Sequence, residues 1–240
     1  MSFDVSIGLR GGGSIPAAFY PVPGTAAPRP AVLVIHEILG LTPEMRRLAG
    51  GFADAGFVAL APDFLHGLGP KPFCIARFAR GIGRPGRGRP YRQLDAAREW
   101  LAARPDVDAA AIGVAGFCIG GGFALLYAAG ADVQVVAPFY PAVPATEALR
   151  GICPVVASFG GRDRIFGGGG PTLVDRLETL GVEHDVRTYP DAGHGFMARY
   201  PGALGWINRQ LPMHTEHDPD AAADAWQRTV SFFDRHLRPA

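Results

Sequence analysis

The chain has 240 residues, 48% of them hydrophobic and 19% charged, which is enough apolar material for a sizeable core and too much for a disordered segment. Its 23 Lys plus Arg nearly balance 22 Asp plus Glu, so no overall field would draw it to nucleic acid or to an anionic membrane. Met1 to Gly13 carries no basic stretch followed by an apolar one, and no apolar run of about 18 residues occurs, so a soluble cytoplasmic protein is expected.

Short apolar runs alternate with amphipathic stretches, the pattern of parallel strands joined by crossover helices. Near the start, Phe3 to Ile7 and Ala17 to Tyr20 suit an antiparallel hairpin on a sheet edge. Strands are then expected at Ala31 to Ile35, Val58 to Ala61, Ala111 to Ala115, Val133 to Phe139, Val155 to Phe159 and His184 to Tyr189. Between them helices fit Pro43 to Ala55, with Thr42 as N-cap and Pro43 in the first position, then Tyr91 to Ala103, Ile119 to Ala129 and Pro171 to Leu180. A last helix, Asp220 to Leu237, repeats Trp226, Val230, Phe233 and Leu237 at helical spacing, which marks a core stripe. Gly67 to Pro90, rich in Gly, Pro and Arg, and the irregular Ala198 to Pro219 are expected to be loops on one domain spanning residues 1–240.

Three cysteines, Cys74, Cys118 and Cys153, are odd in number and widely spaced, which argues against a disulfide framework and against zinc. One of them stands in Gly116-Phe117-Cys118-Ile119-Gly120-Gly121, where a buried strand runs straight into a helix. This is the Gly-x-nucleophile-x-Gly elbow with Cys in the Ser position. The glycines belong there because side chains at such a tight turn would strike the neighbouring strand and helix. Cys118 then sits at the positive end of the following helix, which favours a thiolate, and the Ile119 N–H points where an oxyanion would form.

An elbow nucleophile needs a base and an acid, and in this fold they follow it in the order acid, then His. Asp163 lies just past a predicted strand in Gly160-Gly161-Arg162-Asp163, and His194 lies past the next one in Gly193-His194-Gly195. All three candidates thus fall at strand C-termini, where open α/β sheets assemble their sites. Asp191 is the weaker acid, because it is too close in sequence to His194 to reach Nδ1. After the first long strand, His36-Glu37-Ile38-Leu39-Gly40 occupies the loop that supplies a second oxyanion donor, here the Ile38 N–H, with Glu37 near the nucleophile. A surface pair on a connecting loop is the other reading of His36 and Glu37.

These segments resemble the dienelactone hydrolase family. The resemblance rests on His36-Glu37-Ile38-Leu39-Gly40-Leu41-Thr42-Pro43-Glu44 with Gly56 to Asp63, on the Cys118 elbow, on the Gly160-Gly161-Arg162-Asp163 turn, and on Gly193-His194-Gly195-Phe196 with Ala225 to Phe233. It covers most of residues 30–238 and implies an α/β-hydrolase fold without a separate cap domain. It also implies a Cys118, His194, Asp163 triad, oxyanion donors at Ile38 and Ile119, a resting thiol held near Glu37, and no cofactor. The implied substrates are small esters or lactones, often bearing a carboxylate. Charge balance and ligand spacing separately argue against nucleic acid, membrane and metal, and a monomer or small homo-oligomer is expected. Candidate carboxylate clamps are Arg199, five residues past His194, and Arg77 and Arg80 in the basic loop. Two other readings stay open: a hydrolase-fold ligand sensor without turnover, and a thiol redox sensor centred on Cys118.

Two further signals point elsewhere. Gly167 to Gly170 lacks the ending of a phosphate loop and reads as a flexible turn. His214-Thr215-Glu216-His217-Asp218 has ligand-type residues but too short a spacing, without a second cluster, for a metal site.

Overall fold

The computed structural model describes residues 2–24, 27–66, 88–199, 210 and 212–238. Eight strands among them form one sheet: β1 (Phe3–Gly8), β2 (Ser14–Tyr20), β3 (Arg29–Ile35), β4 (Val58–Pro62), β5 (Val107–Phe117), β6 (Val135–Phe139), β7 (Val155–Gly160) and β8 (His184–Tyr189). Their spatial order is β1-β2-β4-β3-β5-β6-β7-β8. The expected edge hairpin is there, with β1 antiparallel to β2 and β2 antiparallel to β4, and the remaining pairs are parallel.

Parallel strands covered on both faces must be apolar on both. In β3, Ala31, Leu33 and Ile35 enter one core and Val32 and Val34 the other, all of them inaccessible to water. The first core is closed by α2 (Arg89–Ala102), α3 (Ile119–Ala128) and α4 (Gly169–Leu180), the second by α1 (Pro43–Asp54) and α5 (Pro219–Leu237).

Helix α1 starts as its sequence dictates: the Thr42 Oγ1 accepts the Met45 N–H at 3.2 Å and Pro43 fills the first turn, where no amide donor is needed. Helix α5 is capped by Asp218, whose carboxylate accepts the Asp220 and Ala221 N–H groups. Its buried stripe is Ala222, Ala225, Thr229, Phe232, Phe233 and Leu237, so Trp226 and Val230 flank the core face and are only partly buried. Gly169 and Gly170 are the first residues of α4, not a free turn: a Cβ on Gly169 would lie 2.8 Å from the Phe159 ring and one on Gly170 2.4 Å from Thr188 Oγ1.

The chain leaves β3 for β4 on one side and returns to β5 on the other. The strand order therefore reverses between β3 and β5, the kind of switch point at whose carboxyl ends open α/β sheets bind their ligands. The 36–42 loop and the turn at Cys118 both begin there.

Candidate active site

Cys118 joins β5 to α3 with φ 56° and ψ −121°, a backbone conformation that non-glycine residues adopt at a cost of roughly 1–3 kcal/mol. The surrounding structure enforces it. The Cys118 N–H donates to Phe139 O at 3.0 Å, across to the end of β6. A Cβ on Gly116 would lie 2.2 Å from Gly120 O, and one on Gly120 2.5 Å from both Ile35 O and His36 O. The two elbow glycines thus let β5, α3 and the end of β3 touch backbone to backbone, the collision expected from the motif. Cys118 is partly exposed. The other described cysteine, Cys153, is partly buried, and desolvation pushes its thiol up to about 12, which favours the protonated form.

Asp163 and His194 are brought together in the same way. Asp163 is buried in the turn after β7, where its Oδ1 accepts the Ile165 and Phe166 N–H groups, each at 3.0 Å. Its Oδ2 accepts His194 Nδ1–H at 2.7 Å. The turn holding His194 packs directly on the Asp163 turn: a Cβ on Gly160 would lie 2.3 Å from Gly193 O, and the Arg162 N–H donates to Ala192 O. On its far side a Cβ on Gly193 would lie 1.7 Å from His214 O, and the His194 N–H donates to Met213 O at 2.8 Å. Asp191 is exposed and takes no part in these contacts to the ring.

The imidazole of His194 lies between Tyr140 and Phe166, with ring centroids at 4.9 and 5.3 Å. Burial works against a charge on this ring, but the Asp163 hydrogen bond and the neighbouring Cys118 outweigh it and push His194 up to about 9. Nε2, the nitrogen not bonded to Asp163, is buried and makes no hydrogen bond of ordinary geometry, while the Cys118 thiol is the second group acting on the ring. Tyr140 is itself held at φ 42° at the end of β6, its N–H on Ser158 O at 2.7 Å. Sequence reasoning passed over Tyr140 and Phe166, and the only hint of the former was an aromatic at the end of the strand beside the elbow.

His36 and Glu37 are buried, at 0% and 5% exposure, so they are not a surface pair. His36 Nδ1 donates to Glu37 O at 2.7 Å and its Nε2 accepts the Phe64 N–H at 3.0 Å, an arrangement that requires the neutral ring protonated on Nδ1. Ile38 is half-buried on this loop, and Ile119 is the first residue of α3.

Arg199 lies elsewhere. Its N–H donates to Glu44 Oε1 at 3.0 Å, and with Arg47, Met197, His217 and Trp226 it lines a cleft of about 300 Å³ between α1 and α5 that includes neither Cys118 nor His194. Arg77 and Arg80 fall outside the described residues. His217 and Asp218 have structural work, His217 Nδ1 on Phe196 O and Asp218 as the cap of α5.

A mostly parallel sheet with a strained thiol at its central turn and a carboxylate-bound histidine beyond later strands defines an α/β-hydrolase. A model of the dienelactone hydrolase family matches residues 17–237, and the chain belongs to that family of carboxylic ester hydrolases. It is 32% identical, over 86% of its length and 81% of the relative's, to the carboxymethylenebutenolidase of Rhodococcus opacus. A dienelactone hydrolase-like promiscuous phosphotriesterase from metagenomic libraries superposes with a TM-score of 0.82 at 25% identity, covering 99% of this chain and 98% of that one. A dienelactone hydrolase from Anabaena variabilis shares the fold, with a TM-score of 0.71 at 23% identity over 99% of both chains. No helix among the described residues is long and apolar enough to cross a membrane.

Proposed function

We propose that residues 1–240 act as one domain that hydrolyses small carboxylic esters or lactones through a thioester on Cys118, with His194 and Asp163 completing the triad. The observation that carries this reading is the 2.7 Å bond from Asp163 to His194, in a ring pushed up to about 9 by that carboxylate and by Cys118. A protonated ring in this place offsets negative charge on the sulfur, and thiolate is the form of Cys that attacks carbonyl carbon. Glu37, buried just after β3, is the group assigned to hold the Cys118 side chain in place until substrate enters.

In the reaction, the Cys118 sulfur bonds to the acyl carbon and the carbonyl electron pair moves to oxygen, which the Ile38 and Ile119 N–H groups stabilise. Collapse restores the carbonyl, breaks the bond to the leaving alkoxide, and His194 delivers a proton to that oxygen. For a lactone the alcohol stays tethered to the acyl group. With the thiolate charge gone, His194 is a neutral base. It takes a proton from water as the water oxygen attacks the thioester, and the second collapse returns the thiolate and the carboxylic acid. Asp163 fixes the tautomer by holding Nδ1–H throughout.

The test is acyl-enzyme trapping with short aryl esters and small carboxylated lactones. Intact-mass measurement should show an acyl adduct on the parent protein and none on Cys118→Ala, whose turnover drops to background. Cys118→Ser should hydrolyse more slowly than the parent, since a hydroxyl needs stronger base assistance than a thiol. Equal turnover of parent and Cys118→Ala sinks the reading.

A further inference from the structure

His36 opens the proposed oxyanion loop, two residues before Ile38. It is fully buried, and both ring nitrogens are engaged: Nδ1–H on Glu37 O at 2.7 Å, and Nε2 on the Phe64 N–H at 3.0 Å. Phe64 follows β4, so the ring straps the loop after β3 to the neighbouring strand end. The Gly40 N–H adds a second bond to Glu37 O at 3.1 Å.

These bonds fix a peptide plane. No cis peptide occurs in the described chain, so the Glu37 carbonyl and the Ile38 N–H, which share one peptide unit, point in opposite directions. The carbonyl is drawn to the His36 ring, which reaches toward the β4 side. In the order β4-β3-β5, the amide is thereby turned toward the β5 side, where Cys118 stands. The Gly120 backbone lies against Ile35 O and His36 O, closely enough that a Cβ would meet both at 2.5 Å, so the elbow and the loop share one wall.

From this geometry we infer that His36 is a positioning residue which aims the Ile38 N–H at the developing oxyanion by anchoring the opposite face of its peptide unit. The inference rests on the thioester reading above. Burial lowers the basicity of the ring, which keeps it in the neutral form that can give one hydrogen bond and accept the other. Only a group with a donor and an acceptor on opposite sides can bridge a carbonyl and an amide in this way, which is why His serves and an apolar ring of the same size would not.

The experiment compares His36→Phe, which keeps a ring but loses both bonds, with His36→Gln, which restores a donor and an acceptor. For His36→Phe, kcat should fall about 10- to 100-fold with KM within about threefold, somewhat less than the loss of an oxyanion donor outright. His36→Gln should recover most of that loss. Two probes separate aiming from general damage. A short aliphatic aldehyde adds to the Cys118 sulfur, its carbonyl oxygen becoming the oxyanion of a thiohemiacetal, and should bind His36→Phe more weakly by about the same factor as kcat falls. Iodoacetamide alkylates the sulfur, with loss of iodide, without needing the oxyanion donors, and its rate should match the parent within about twofold.

If aldehyde affinity and alkylation rate fall together, or kcat is unchanged, the aiming role is overturned. If alkylation of Cys118 leaves parental turnover intact, the thioester reading fails first and takes this inference with it. Should His36→Phe not fold, the parent protein decides: formation of the thiohemiacetal must shift the Ile38 amide proton downfield, and an unmoved resonance overturns the proposal.

Discussion

The rim where Cys118, Asp163 and His194 meet and the cleft between α1 and α5 are built by different means. At the rim, backbone touches backbone: a Cβ would lie 2.2 Å from Gly120 O at Gly116, 2.3 Å from Gly193 O at Gly160 and 1.7 Å from His214 O at Gly193. In the cleft, contacts run through side chains. Gly51 faces the Trp226 ring, a Cβ there lying 3.0 Å from Cζ2, and Arg47 pairs with Glu44 on the surface. A peptide group cannot rotate out of the way, whereas an indole can. The first arrangement therefore holds its side chains to a fraction of an ångström, the precision that the proposed reaction needs, and the second tolerates change.

Three measurements sharpen this contrast. The largest effect is expected for Asp163→Asn. An amide at the Nδ1 contact no longer enforces the productive tautomer or balances the imidazolium, so turnover should drop about 10³-fold or more with the Ile165 and Phe166 N–H bonds still satisfied. A variant within tenfold of the parent would mean that the carboxylate only braces its loop.

Next comes the glycine pair. Gly193→Ala must push the His194 turn off the 212–215 segment and should cost about 10²-fold in kcat with a clear fall in Tm, whereas Gly51→Ala, which needs only a small tilt of Trp226, should stay within about twofold in kcat. Similar kcat losses for both would erase the distinction between the two regions.

The smallest effect is thermodynamic. His194 is raised from its ordinary 6.5 to about 9, against burial, by Asp163 and Cys118. A raised histidine contributes stability that is fully present below about pH 6.5 and is lost as the pH climbs through about 9. Thermal unfolding of the parent should therefore drop by several degrees between pH 6.5 and 9.5, and His194→Asn should remove most of that slope. An unchanged slope in the variant would assign it to other groups.

Much of this architecture was legible in the chain itself. The unbroken apolar run of β3, the Thr42-Pro43 start of α1 and the glycines around Cys118 are local signals, each with one physical solution, and the structure follows them within a few residues. Asp163 and His194, singled out by their order after Cys118, are hydrogen-bonded to each other, and each lies where a strand ends. What escaped the reading depends on partners distant in sequence. Nothing local to His36 reveals that Phe64 supplies its second bond, and nothing near Tyr140 reveals the positive φ imposed by its N–H bond to Ser158. Helical spacing picked Trp226 and Val230 as core because both are large, yet the small Ala225 and Thr229 face the sheet, where little room is left. Arg199 was judged by its distance from His194 along the chain, and its amide is held instead by Glu44 at the start of α1.

The backbone at Cys118, held at φ 56° and ψ −121°, has a bearing on how such a protein can be made hardier. Glycine would sit there at ease, so a screen that rewards heat tolerance alone should favour Cys118→Gly and return a sturdier, inert chain. On the proposed thioester route, endurance and turnover compete at a single pair of torsion angles, and any programme to strengthen this protein has to look for its gains elsewhere in the molecule.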